Sequence, residues 1–151
     1  MFSFYVFGKI VEDAFMGIFG PKGAILYAVM YVAALGACLI PTYSQHKENY
    51  AYRSLGASGA VSAVVFAGIF LNPTLGVSLM FIPIAIPGFI FGPIYLFITA
   101  YLSRRGGSHI NHSAHLWGAL FGIAFLIVTA IALSSFNPVT NFVYQVQSYI
   151  R

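Results

Sequence analysis

Charged positions divide the chain into long uncharged blocks. Lys22 and Lys47 bracket residues 23–41, which carry no charge. No Asp, Glu, Lys or Arg occurs from Ser54 through Ser103, or from Gly106 through Ile150. A helix needs about 20 apolar residues, at 1.5 Å rise each, to cross a bilayer. The block from Ser54 to Ser103 is too long for one crossing. It fits two, joined where Asn72-Pro73-Thr74-Leu75-Gly76 supplies turn chemistry. The pattern predicts four full spans, at 23–40, 57–71, 88–102 and 113–133. Residues 76–86 hold Pro83 and precede Pro87, which favours a re-entrant or extended connector over a helix. Asn137-Pro138 has the form of an N-cap and first helical residue, opening a short C-terminal helix over 137–150. Residues 1–10 are apolar but too short to span, and read as the end of a helix that starts earlier.

Composition puts this helical pattern in a membrane. Of 151 residues, 60% are hydrophobic and 7% charged, against roughly 45–50% and 25% in soluble proteins. Seven basic and three acidic side chains could not cover the surface of a soluble domain of this size. The predicted fold class is an all-α integral membrane bundle in direct contact with the lipid bilayer. The net charge of +4 is scattered along the chain and gives no nucleic-acid partner. Lys47, Arg53, Arg104 and Arg105 flank one side of the predicted membrane, and Lys9, Lys22 and Arg151 the other. Loop charge therefore does not set the orientation.

Alternation of the spans has a chemical consequence. Spans 57–71 and 113–133 are separated by one other, so they run parallel and start at one face and similar depth. Each start carries a reactive side chain. Ser58 sits in Gly56-Ala57-Ser58-Gly59, and His115 in His112-Ser113-Ala114-His115-Leu116-Trp117-Gly118. Ala60, Ala63 and Ala67 form one stripe of small residues, and Ala114, Gly118 and Gly122 another. Such stripes let helices approach closely in lipid. Gly56 and Gly59 keep the approach to Ser58 open, and first-turn N–H groups near Ala57 and Ser58 can hold an oxyanion. The imidazole would take the hydroxyl proton as general base and return it to a leaving amine. Glu12, Asp13 and Glu48 fall outside the predicted spans, so the pattern gives a Ser–His dyad rather than a triad.

Simpler readings stand beside this one. A serine between glycines in a membrane helix is usually a packing residue. A membrane histidine is costly to bury and more often functional. His109, His112 and His115 are spaced by three, which allows a small metal-binding or transport protein. No Cys or carboxylate joins them, so neither a metal nor another cofactor is expected. Cys38 stands alone in an apolar span and reads as core. Asn111-His112-Ser113 has the pattern of a glycosylation acceptor but abuts a span.

The pair of motifs resembles the rhomboid family of intramembrane serine proteases. Gly56-x-Ser58-Gly59 alone is weak. Standing two spans before Ala114-His115-x-x-Gly118-x-x-x-Gly122, it is specific. The resemblance extends over essentially the whole chain and makes the four spans helices three to six of a six-helix core. It implies Ser58 as nucleophile, His115 as general base, and residues 103–111 as a cap over the site. It implies transmembrane proteins as substrates, entering beside span 88–102. It also implies a multi-pass protein of the bacterial cytoplasmic membrane, with the site toward the extracytoplasmic face. A catalytically inactive, helix-binding relative is the competing reading.

One family feature has no match. The second helix of the family carries a His and then an Asn that bind the oxyanion, and residues 1–8 resemble the apolar run just after that Asn. His46-Lys47-Glu48-Asn49 lies in a polar loop and is no substitute. The expectation is a chain lacking the first helix and most of the second. Loss of one oxyanion donor lowers serine-hydrolase rates by about 10²–10³, so the chain alone is expected to be weakly active or inactive.

Overall fold

The structure, a computed structural model, describes residues 2–48, 57–79, 82–105 and 111–151. The described residues form helices α1 (Phe2–Phe19), α2 (Gly23–His46), α3 (Ala57–Leu71), α4 (Gly88–Arg105), α5 (His112–Leu133) and α6 (Pro138–Ile150). A hairpin of β1 (Gly76–Leu79) and β2 (Ile82–Pro87) joins α3 to α4. Two stretches are long and apolar enough to cross a bilayer, Tyr5–Ser44 and His112–Leu133. The first is folded in two by a 3₁₀ turn at Gly20–Lys22. The molecule is an all-α polytopic membrane bundle.

Helix α1 runs past residue 10 to Phe19. Lys9, Glu12 and Asp13 do not end it, because all three lie on its exposed face. Lys9 and Asp13, one turn apart, pair at 3.1 Å. The opposite face carries Phe7, Val11 and Phe15 at four-residue spacing, all in the core. The helix ends where Gly20 takes φ 60°, a left-handed conformation that glycine adopts without strain, and Pro21 follows.

Helix α2 also passes its expected end, continuing through Pro41 to His46. Proline removes one backbone donor from a helix. Hydroxyls just beyond it add bonds within the same helix: Thr42 Oγ1 donates to the Cys38 carbonyl at 3.0 Å, and Ser44 Oγ to the Ile40 carbonyl at 3.0 Å. Helix α4 likewise continues to Arg105 with Pro93 inside it. Residues 103–105 of the expected cap are therefore helical, and 106–110 lie outside the described residues.

Helix α3 has 15 residues, about 22 Å at 1.5 Å rise, which is short of a hydrocarbon core of about 30 Å. It is enclosed by protein, touching α1, α2, α4, α5 and α6. Its buried positions fall on every face, from Gly59 and Ala60 through Ile69 and Leu71. Its last carbonyl is taken up by α6. Asn141 Nδ2 donates to Leu71 O at 3.2 Å and Gln145 Nε2 at 2.8 Å. Phe142 stacks on Phe70 with centroids 4.9 Å apart. Helix α6 is itself capped by Asn137, whose side chain accepts from the amides of Val139 and Thr140.

The hairpin is antiparallel, pairing Gly76 with Pro87 and Ser78 with Ala85, with an irregularity between Ser78 and Leu79. The turn before it is tied to the start of α4. Gly88 N donates to Leu75 O at 2.9 Å, and Phe89 N to Pro73 O at 2.8 Å.

The tightest packing is between α3 and α5. A methyl group on Gly118 would collide with the Gly59 carbonyl, and one on Gly122 with the Ala63 carbonyl. A methyl on Gly59 would lie 2.9 Å from Ala114 O and 2.5 Å from Cys38 Sγ. Ala63 belongs to this contact. Ala60 and Ala63 also pack with Ala34 of α2. Both contacts advance along the two helices together, so α3 and α5 run parallel.

These contacts predict opposite effects for two glycine substitutions. Gly122→Ala is expected to lower the unfolding midpoint in detergent, by about 1–3 kcal/mol of overpacking. Gly36→Ala, where nothing lies within 4 Å of the new methyl, is expected to raise stability by about 0.5–1 kcal/mol. Denaturant titration followed by circular dichroism reads both. A neutral Gly122→Ala would mean that the helices do not approach as described.

Candidate active site

The first turn of α3 and the first turn of α5 form one end of the crossing. Ser58 precedes Gly59, the residue wedged between Ala114 and Gly118. His115 follows Ala114. The crossing thus places Ser58 and His115 on adjacent parallel turns at one depth. Ala57 and Ser58 are exposed and Gly59 is buried. As residues of the first turn of α3, Ala57 and Ser58 have N–H groups with no partner inside the helix. Gly56 and His109 lie outside the described residues. Among the described residues no hydrogen bond joins Ser58 to His115; such contacts are often loose until substrate is bound.

His115 lines a cavity of about 360 Å³ between α4 and α5. Ile94, Ile98, Thr99 and Leu102 form its α4 wall, and His112 and His115 its polar end. The two imidazoles are one helical turn apart, with centroids separated by 6.5 Å and planes nearly perpendicular. Three metal-binding side chains do not come together among the described residues. Glu12 and Asp13 point away on the exposed face of α1.

Further residues shape this end; the sequence marked Asn111 only as part of a glycosylation pattern and Cys38 as core, and Thr42 and Ser62 not at all. Asn111 caps α5, with Oδ1 accepting from Ala114 N at 2.9 Å, and its carbonyl accepts from His115 N at 3.3 Å. Asn111 Nδ2 donates to Thr42 Oγ1 on α2 at 3.0 Å. Ser62 Oγ donates to the Ser58 carbonyl at 3.2 Å. Cys38 is buried with Sγ against the Gly59–Gly118 contact. Asn before an apolar helix was a readable cap signal. Nothing in the sequence pairs it with a threonine 69 positions earlier.

Comparison with known families matches the Rhomboid domain over residues 1–132. No curated protein and no solved structure matches the chain. The match takes in all of α1 to α4 and all but the last residue of α5, and so includes both turns that carry Ser58 and His115. The chain belongs to the rhomboid family.

Proposed function

We propose that the protein is an intramembrane serine endopeptidase that cuts transmembrane helices with a dyad of Ser58 and His115. The observation that carries this reading is the wedging of Gly59, the neighbour of Ser58, between Gly118 and Ala114, the neighbour of His115. The order of events follows from the two groups. His115 accepts the Ser58 hydroxyl proton as Oγ attacks the scissile carbonyl carbon. The oxyanion that forms faces the free N–H groups at the start of α3, where the helix dipole also favours negative charge. Collapse of the intermediate breaks the C–N bond, and the proton on His115 passes to the leaving amine. A water then gives a proton to His115 and attacks the acyl-enzyme ester, releasing the new carboxyl group and restoring Ser58.

The substrate reaches the site through the α4 side. Only Gly88, Gly92 and Thr99 are buried on α4. A helix in the bilayer must unwind to offer a carbonyl, which favours substrates with small or helix-breaking residues near the cut. Ser58 is exposed at the start of α3, so water enters from the face where α5 begins. We read that face as lying outside the cytoplasm, in the cytoplasmic membrane of a bacterium.

Labelling with a fluorophosphonate tests the dyad. The expected adduct is on Ser58 and is absent in Ser58→Ala. His115→Ala is expected to slow labelling by about 10²–10⁴. An unlabelled Ser58, or wild-type labelling in His115→Ala, would overturn the reading in favour of a non-catalytic relative that binds membrane helices.

A further inference from the structure

We propose that Thr42 and Asn111 are positioning residues for His115, holding the first turn of α5 against α2. The inference rests on the reading of His115 as general base. It starts from a continuous chain of hydrogen bonds. The Thr42 hydroxyl donates to Cys38 O at 3.0 Å. The same oxygen accepts from Asn111 Nδ2 at 3.0 Å. Asn111 Oδ1 accepts from Ala114 N at 2.9 Å, and Asn111 O from His115 N at 3.3 Å. Reversing the Asn111 amide would set an NH₂ against the Ala114 N–H, so the network itself fixes its orientation.

The location makes the chain effective. Thr42 is only 6% exposed, and hydrogen bonds in a low-dielectric interior strengthen one another. Pro41 lies inside α2, yet the helix continues and presents Thr42 to α5. The anchor, Cys38 O, belongs to the residue whose sulfur touches Gly59 and Gly118. The same turn of α2 therefore contacts both catalytic helices. One end of the chain is fixed at the crossing, and the other holds the backbone amides of Ala114 and His115. Rotation of the first turn of α5 would swing the imidazole away from Ser58 and must break this chain. A misplacement of about 1 Å in a catalytic group can lower a rate about a hundredfold.

Three substitutions separate positioning from general stability. Thr42→Val keeps the shape and removes the hydroxyl. Thr42→Ser keeps the hydroxyl. Asn111→Asp keeps the cap on Ala114 N and removes the donor to Thr42. The measurements are kcat and KM on a model transmembrane substrate, the rate of fluorophosphonate labelling of Ser58, and the ¹⁵N imidazole resonance of His115. Thr42→Val and Asn111→Asp are expected to lower kcat and labelling together by about ten- to a hundredfold, with KM nearly unchanged and the His115 resonance shifted. Thr42→Ser is expected to restore all three. Wild-type kcat and an unshifted resonance in both Thr42→Val and Asn111→Asp would overturn the proposal while leaving the dyad intact. A loss of kcat that Thr42→Ser fails to rescue would overturn it as well. Failure of the dyad itself reads differently: wild-type Ser58 would then take no label.

Discussion

Everything at the site depends on two helices approaching backbone to backbone. Where Gly118 meets the Gly59 carbonyl and Gly122 meets that of Ala63, there is no room for a methyl group. In lipid, helices gain nothing by hiding apolar surface from one another, so close van der Waals packing must supply the attraction. Small residues at four-residue spacing provide it. The same contact is a ruler. It sets the register between α3 and α5, and so places the side chains one turn nearer the helix starts. Ser58 and His115 follow from that contact, each beside it on the first turn of its helix.

The second constraint is that backbone polar groups in a bilayer need partners. It explains features that otherwise look unrelated. Pro41 interrupts α2, and Thr42 and Ser44 bond the carbonyls of Cys38 and Ile40. Helix α3 stops inside the bundle, and two amides of α6 meet its last carbonyl. The start of α5 is capped by Asn111. Two of these groups also tie helices together: the α6 amides join α6 to α3, and Asn111 joins the start of α5 to Thr42 of α2. The need to satisfy the backbone thereby helps to frame a short central helix.

Much of this was legible in the chain. The uncharged blocks located the apolar helices, because removing charge from about 20 residues is what a bilayer demands. Ser58 and His115 stood out because their motifs start alternate spans. Helix ends were harder. Helix α1 runs on past residue 10 because Lys9, Glu12 and Asp13 all fit one exposed face. Helix α2 runs on past residue 40, through Pro41, to His46. The stripe expected at Ala60, Ala63 and Ala67 meets α5 at Ala63, and one turn before it the contact is made by Gly59. The bond from Asn111 to Thr42 joins residues 69 apart and leaves no periodic trace.

The central claim is that the α3–α5 crossing holds the Ser58 oxygen and the His115 ring close enough to share one proton. A probe that acylates a serine and then unmasks a second electrophile on the same small scaffold measures that closeness directly. Peptide mass mapping of the treated protein reads where it attaches. The account predicts one probe molecule bridging Ser58 and His115. Acylation of Ser58 with the second electrophile taken only by water, under conditions where a bridge could form, would contradict it.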